Sequence, residues 1–314
     1  MVLMRNKKGI IFTTLVVLIL SLFVIAAYTS YSKVDERKSV QKRIDTMNSF
    51  VNSVEDNIPR QLRTSGFRII FLFEKRIVEK GQYLSNVNSL FQEAFFGGTI
   101  NGESNQDIQT VMDGAKFSDI KSLLQDKANG INANLDILDA NITIIQEDPW
   151  NVKVILSSNI IINDNGNLAS WNKTENITAI VPIQNFEDPL YIINTNGLVI
   201  NKIMKTNFLS FVSGSDISNL LVHAQNSYYI NSTLGPSFLD RLEGKTSPNI
   251  YGIESLVNLD KLSSKGISTR DKSVVDYIYF SGANPAACNV IPVGMPFWFK
   301  LDNAHLSIYQ VSCP

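Results

Sequence analysis

Two histidines, two cysteines and two acidic pairs closed by proline are the groups through which this 314-residue chain could do chemistry. A metal needs ligands clustered at short, fixed spacing. Here His223 and His305 stand far apart, and neither HExxH nor CxxC occurs. Asn163-Asp164-Asn165-Gly166 opens like a calcium loop, but the twelfth position from Asn163 is Thr174, where a bidentate Glu is required. Asn-Gly suits a tight hairpin turn instead. Gly244-Lys245-Thr246 ends like a phosphate loop, yet the Gly it needs five residues earlier is Leu239. Ser118 and Lys121 fit S-x-x-K with no Lys-Thr-Gly to accompany them, and no G-x-S-x-G elbow exists. The pairs in Glu147-Asp148-Pro149-Trp150 and Glu187-Asp188-Pro189-Leu190 could act as glycosidase acids only at a set carboxylate separation; otherwise they are turns closed by Pro. These residues predict a non-enzymatic protein with no catalytic residues, no cofactor and no metal.

Composition narrows the class further. Lys+Arg 28 against Asp+Glu 29 leaves a net charge of −1, which gives no electrostatic footing for nucleic acid. Charged residues make up 18% of the chain, below the usual ~25%, and 32 Asn supply much of the missing polarity. Collagen, a charged disordered tail, a multi-span transporter and a Cys-dense scaffold are all excluded.

The element best placed to organise such a chain is at its start. Ile10 to Tyr28 reads IIFTTLVVLILSLFVIAAY, with no charge between Lys8 and Lys33. As a helix these residues span ~28 Å, close to the ~30 Å hydrocarbon core of a bilayer. Arg5, Lys7 and Lys8 precede it, so the positive-inside rule predicts a cytoplasmic N-terminus and an extracytoplasmic body, anchored in the cell membrane by a single pass. A cleaved secretory signal ending near Ala26-Ala27 is the competing reading, although its apolar region would normally run only 7–15 residues.

Lys7-Lys8-Gly9 followed at once by Ile10-Ile11-Phe12 resembles the leader of type IV prepilins, archaeal pilin-like proteins above all. The resemblance covers roughly the first 60 residues. It implies cleavage between Gly9 and Ile10, a surface protein acting in assembly or adhesion, and partners that are the membrane and like subunits or other surface proteins met through the N-terminal helix. One position departs: bacterial major pilins carry Glu at the fifth mature position, here Thr14. The rivals are a single-span extracytoplasmic ligand-binding or sensor-like module and a secreted hydrolase.

Beyond the apolar run, Val40, Ile44, Met47, Val51, Val54 and Ile58 recur at alternating spacings of four and three, a seam for assembly with other helices or for packing on the protein's own body. Pro59 predicts the end or a kink of that helix. Val87, Leu90, Phe91, Ala94 and Phe95 mark a second helix stopped by Gly97. Phe117, Ile120, Leu123 and Leu124 mark another before Gly130. The period then shortens to two. Val152–Ile162 and Trp171–Ile183 predict strands joined at Asp164-Asn165-Gly166, and Tyr191–Asn194 with Asn196-Gly197 suggests another hairpin. Short helices are predicted over Asp216–Ala224 and Pro236–Leu242, with later strands at Tyr251–Leu256, Val274–Phe280, Phe297–Leu301 and Leu306–Val311. The expected class is α+β: a basic leader (1–9), a transmembrane helix (10–28), a helical segment (29–131) and a β-rich extracytoplasmic head (132–314).

That topology puts Cys288 and Cys313 on the oxidising side. As the only two cysteines, with no His at a short spacing to activate either, they are expected to form a disulfide. The sequons at Asn141, Asn172, Asn176 and Asn231 are candidate glycosylation sites, about as many as the Asn content yields by chance. Tyr228-Tyr229 and Phe297-Trp298-Phe299 could form a platform for carbohydrate or a partner, or could be core.

Overall fold

The computed structural model describes residues 7–292 and 294–314, with side chains throughout these except at 7–11 and 35. One helix dominates: α1 runs unbroken from Lys7 to Lys80 over 74 residues, ~111 Å at 1.5 Å each. Pro59 lies inside it and does not end it, so of the two outcomes expected there the end of the helix is overturned. The missing hydrogen bond at Pro59 costs about 3 kcal/mol. The turns beyond it bury Leu62, Ile69, Ile70, Leu72, Phe73 and Ile77, at roughly 1.5–3 kcal/mol per side chain. Burial wins.

Three more helices follow: α2 (Val87–Gly97), α3 (Gln106–Met112) and α4 (Phe117–Gly130). Asn86 and Asn105 cap the first two by accepting from backbone N–H groups three residues on. Strands β1 (Ala133–Asp148), β2 (Asn151–Asp164) and β3 (Ser170–Pro182) then form a sheet in the order β1-β2-β3. In β2 the even positions Val152, Val154, Leu156, Ile160 and Ile162 are buried, while the odd ones are half-buried or exposed.

After Pro182 the elements are short: α5 (Pro189–Asn194), α6 (Ser218–Asn226), β4 (Tyr229–Asn231), α7 (Phe238–Leu242), β5 (Ile253–Ser255), α8 (Leu259–Ser264), α9 (Asp276–Phe280), β6 (Ala287–Asn289), β7 (Lys300–Asp302) and α10 (Asn303–Leu306). β4 pairs antiparallel with β5, and β6 with β7. The α+β class stands, with the strand content concentrated in 133–182. The strand expected at Phe297–Leu301 starts only at Lys300, after a turn at Phe297-Trp298. Three further expectations need correction. Tyr191–Asn194 belongs to helix α5, started by Asp188 as N-cap and Pro189 at the first turn; Val274–Phe280 turns into helix α9; and Leu306–Val311 leaves α10 as turns with no strand. The apolar and aromatic residues in these runs give them the composition of strands, and runs of four to seven residues are too short to display a helical period.

The chain divides into two compact units. One holds residues up to Asp56 with Leu124–Asp136 and Ile160–Lys173. Its organising group is Asp164, at the hairpin turn. Its carboxylate accepts from Arg43 Nε at 2.6 Å and from the Leu168 N–H at 3.0 Å, while Arg43 also donates to the carbonyls of Ile131 and Asn132. The Leu168 amide and the Arg43 guanidinium hold Asp164 below the usual carboxylate range. The calcium-like motif is therefore a turn whose carboxylate is already engaged.

The other unit holds Asn57–Leu123, Ile137–Asn159 and Thr174–Pro314. There α1 meets the sheet at Gly66: a Cβ at this position would lie 2.9 Å from Val154 Cγ2 and 3.0 Å from Val181 Cγ2. Only a glycine lets the helix approach β2 and β3 so closely. A second core gathers Tyr191, Leu220, Val257, Tyr277, Phe299 and Tyr309 around the short elements.

Candidate functional site

Every described side chain from Phe12 to Val34 is exposed, and most are large and apolar. One helix is thus long and apolar enough to cross a membrane, with none of that window covered by the rest of the chain. At ~25 cal/mol per Å² such a surface is strongly unfavourable to leave in water. Gly9 and Ile10 lie in the first turns of this helix, while Arg5 and the rest of residues 1–6 lie outside the described residues.

Further along α1 the environment changes. Val40 and Ile44 are half-buried, whereas Met47, Val51, Val54 and Ile58 are buried by the protein itself. Of the two readings of the seam, packing on the protein's own body accounts for four of its six residues, while Val40 and Ile44 retain accessible area. The spacing of four and three identifies a buried stripe without saying which partner covers it.

Cys288 on β6 and Cys313 are joined in a disulfide, with Cα atoms 5.8 Å apart across 25 positions. Asn141, Asn172, Asn176 and Asn231 are all exposed; Asn176 Oδ1 accepts from Ser157 Oγ at 2.6 Å and Asn141 Oδ1 from Gln92 Nε2 at 3.2 Å. Of the acidic pairs, Glu147-Asp148 ends β1, and Asp148 accepts across the Pro149-Trp150 turn from the Trp150 N–H and from Asn151 Nδ2.

The second pair opens onto a buried array that no sequence motif marks. Arg241, fully buried on α7, donates from Nη1 to Asp188 Oδ2 at 2.6 Å and to Asp276 Oδ2 at 2.9 Å, and from Nη2 to the Ile253 carbonyl. Tyr229 donates to Asp188, and Ser255 donates to Asp276 from both its amide and its hydroxyl. Burial pushes Asp188 upward; Arg241 opposes this and the neighbouring Asp276 reinforces it. Adjacent on the same strand, Glu254 faces His305. The imidazole places Nδ1 2.8 Å from Asp302 and Nε2 3.3 Å from Glu254 and 2.9 Å from Tyr277 Oη. Burial alone would lower His305, but its hydrogen bonds to Asp302 and Glu254 outweigh it and raise the group to about 9. Ser273, Asp302 and His305 have the composition of a catalytic triad but not its order. Ser273 Oγ donates to Asp302 at 2.8 Å, so the serine and the histidine share one carboxylate, and the far imidazole nitrogen faces Tyr277 and Glu254. All three are buried, and their hydrogen bonds hold the charges of the set in a fixed pattern. Sequence patterns could not locate it, because the partners of Arg241 lie 53 and 35 positions away.

No family model, curated protein or solved structure matches this chain.

Proposed function

We propose that this chain is a pilin-like, membrane-anchored surface protein that works by assembly or adhesion, with its body outside the cell. The observation that carries the proposal is α1: one uninterrupted helix, exposed and apolar from Phe12 to Tyr31, buried within the folded body from Met47 onward. A helix divided in this way is suited to leave its first half in a bilayer or among neighbouring helices while the second half holds a folded body. Lys7-Lys8-Gly9 immediately before the apolar stretch supports processing by a prepilin-type peptidase at the cytoplasmic face. The disulfide agrees with an oxidising compartment.

Mass spectrometry of the mature N-terminus tests the proposal. In a host that has the peptidase, the wild type is expected to begin at Ile10, and Gly9→Phe to keep a longer, membrane-retained precursor. A wild type beginning at Ala27 or Tyr28 would identify a secreted protein. Intact Met1 in both would leave a plain anchor with no pilin-like processing.

A further inference from the structure

Phe297 is 86% exposed, far more than any other aromatic side chain beyond the N-terminal helix. Two clefts flank it, and both are lined by Phe297 and Asn289. One, of about 460 Å³, carries Thr269, Arg270, Asp271 and Lys300, with Trp298 also in its wall. The other, of about 360 Å³, is apolar and lined by Val290, Ile291, Met295 and Phe299 among others. Volumes of this size are those of small-ligand sites.

The polar cleft has unused hydrogen-bonding capacity. Lys300 is paired with Asp271 at 2.6 Å, but the Arg270 guanidinium has no ion-pair partner among the described residues. Among the described residues the side chains of Thr269 and Asn289 make no hydrogen bond either. The walls, by contrast, are firmly held. Arg270 N–H donates to Tyr279 Oη at 2.9 Å, and Lys272 Nζ donates to the carbonyls of Ser281 and Ala283. Val274 N–H donates to the Lys300 carbonyl, and the Cys288–Cys313 bond fixes the strand that presents Asn289.

We infer that this cleft binds an acidic saccharide, a uronate-type sugar unit of a polysaccharide. The C–H face of such a ring packs on the exposed Phe297 ring. Its carboxylate matches the free Arg270 fork in bidentate geometry, and its hydroxyls find Asn289, Thr269 and the outer oxygen of Asp271. The inference deepens the adhesion reading and rests on it for the presence of polysaccharide around the head. Binding by purified protein is nevertheless independent of where the leader is cut, so the two can fail separately.

The test is calorimetric titration of the full chain in detergent micelles with α-1,4-linked trigalacturonate, with its methyl ester, and with a blocked Glu-Leu-Glu tripeptide. The acid should bind with a Kd below about 1 mM, and the ester about tenfold or more weaker. Arg270→Gln should weaken the acid by about tenfold while leaving the ester unchanged; Phe297→Ala should weaken both. Both side chains are exposed, so melting temperatures should match the wild type. If a variant melts early, the wild type still decides, because binding of the acid must fall as NaCl rises. Equal affinity for acid and ester, no binding of either, or tighter binding of the tripeptide would overturn the inference.

Discussion

Glu74 stands on α1 opposite the segment that carries Asp188. One of its carboxyl oxygens accepts from the Glu187 N–H at 2.8 Å, and burial pushes the group up from 4.5 to about 9. The folded protein therefore keeps a proton that the unfolded chain releases above pH 4.5, so the stability contributed by this group is complete below that pH and lost as pH rises towards 9. At pH 7 the loss amounts to about 3 kcal/mol at most. Glu74→Gln retains the acceptor for Glu187 and removes the titration. It should stabilise the protein by about 1–3 kcal/mol at pH 7–8 and by little at pH 4, measured by urea unfolding across that range. His305, raised to about 9, also stabilises below its unfolded value and ceases to as pH rises, so the informative quantity is the difference between variant and wild type at each pH. Equal slopes for the two proteins would mean that Glu74 is ionised in place. At the same scale the abundance of Asn has a structural use. Asn101, Asn132, Asn167, Asn185 and Asn196 all occupy the positive-φ region, and Asn86, Asn105 and Asn258 cap helices. Asn tolerates that backbone better than other non-glycine residues and its side chain mimics a turn carbonyl. The count of 32 was plain in the sequence; the individual turns were not, because every Asn looks alike until its φ is known.

At the scale of elements, the contact between α1 and the sheet is the most testable. Gly66→Ala would gain ~1 kcal/mol of helix propensity, but its methyl must displace the γ-methyls of Val154 and Val181, which are themselves fully buried. Overpacking of that kind costs about 1–3 kcal/mol, so the net effect should be destabilising by roughly 1 kcal/mol in thermal or urea melts. A stabilised variant would show that helix and sheet can separate freely. The elements legible in advance were those with enough residues to repeat a period: the apolar start of α1, α2, α4, and the hairpin of β2 and β3. Those that were misread lacked one. Tyr277-Ile278-Tyr279 is buried on all sides and has the composition of a strand, yet its backbone is helical. That residues 60–80 continue α1 rather than start a new helix was hidden by Pro59, because a local penalty is visible in sequence whereas the burial that outweighs it is not.

For the whole molecule, the disulfide closes the chain's last segment onto β6. A cross-link across 25 positions is worth about 3 kcal/mol through restriction of the unfolded chain. Cys288→Ser paired with Cys313→Ser should therefore lower stability by about 2–4 kcal/mol, while a reducing agent should produce the same shift in the wild type and none in the double variant. An unchanged wild type under reduction would mean the bond is absent in solution. The long helix has a different consequence. Between Tyr28, where the apolar stretch ends, and Met47, where burial begins, α1 runs largely uncovered for 19 steps, ~28 Å at 1.5 Å per residue. A flexible tether of that many residues would have a similar average reach of ~24 Å, but its end would wander over every height from zero to full extension. A helix does not wander. In the anchored state proposed above this stretch would act as a strut rather than a string: it would set a standoff from the lipid headgroups and leave tilt of the helix as the main way to lower its far end towards the surface.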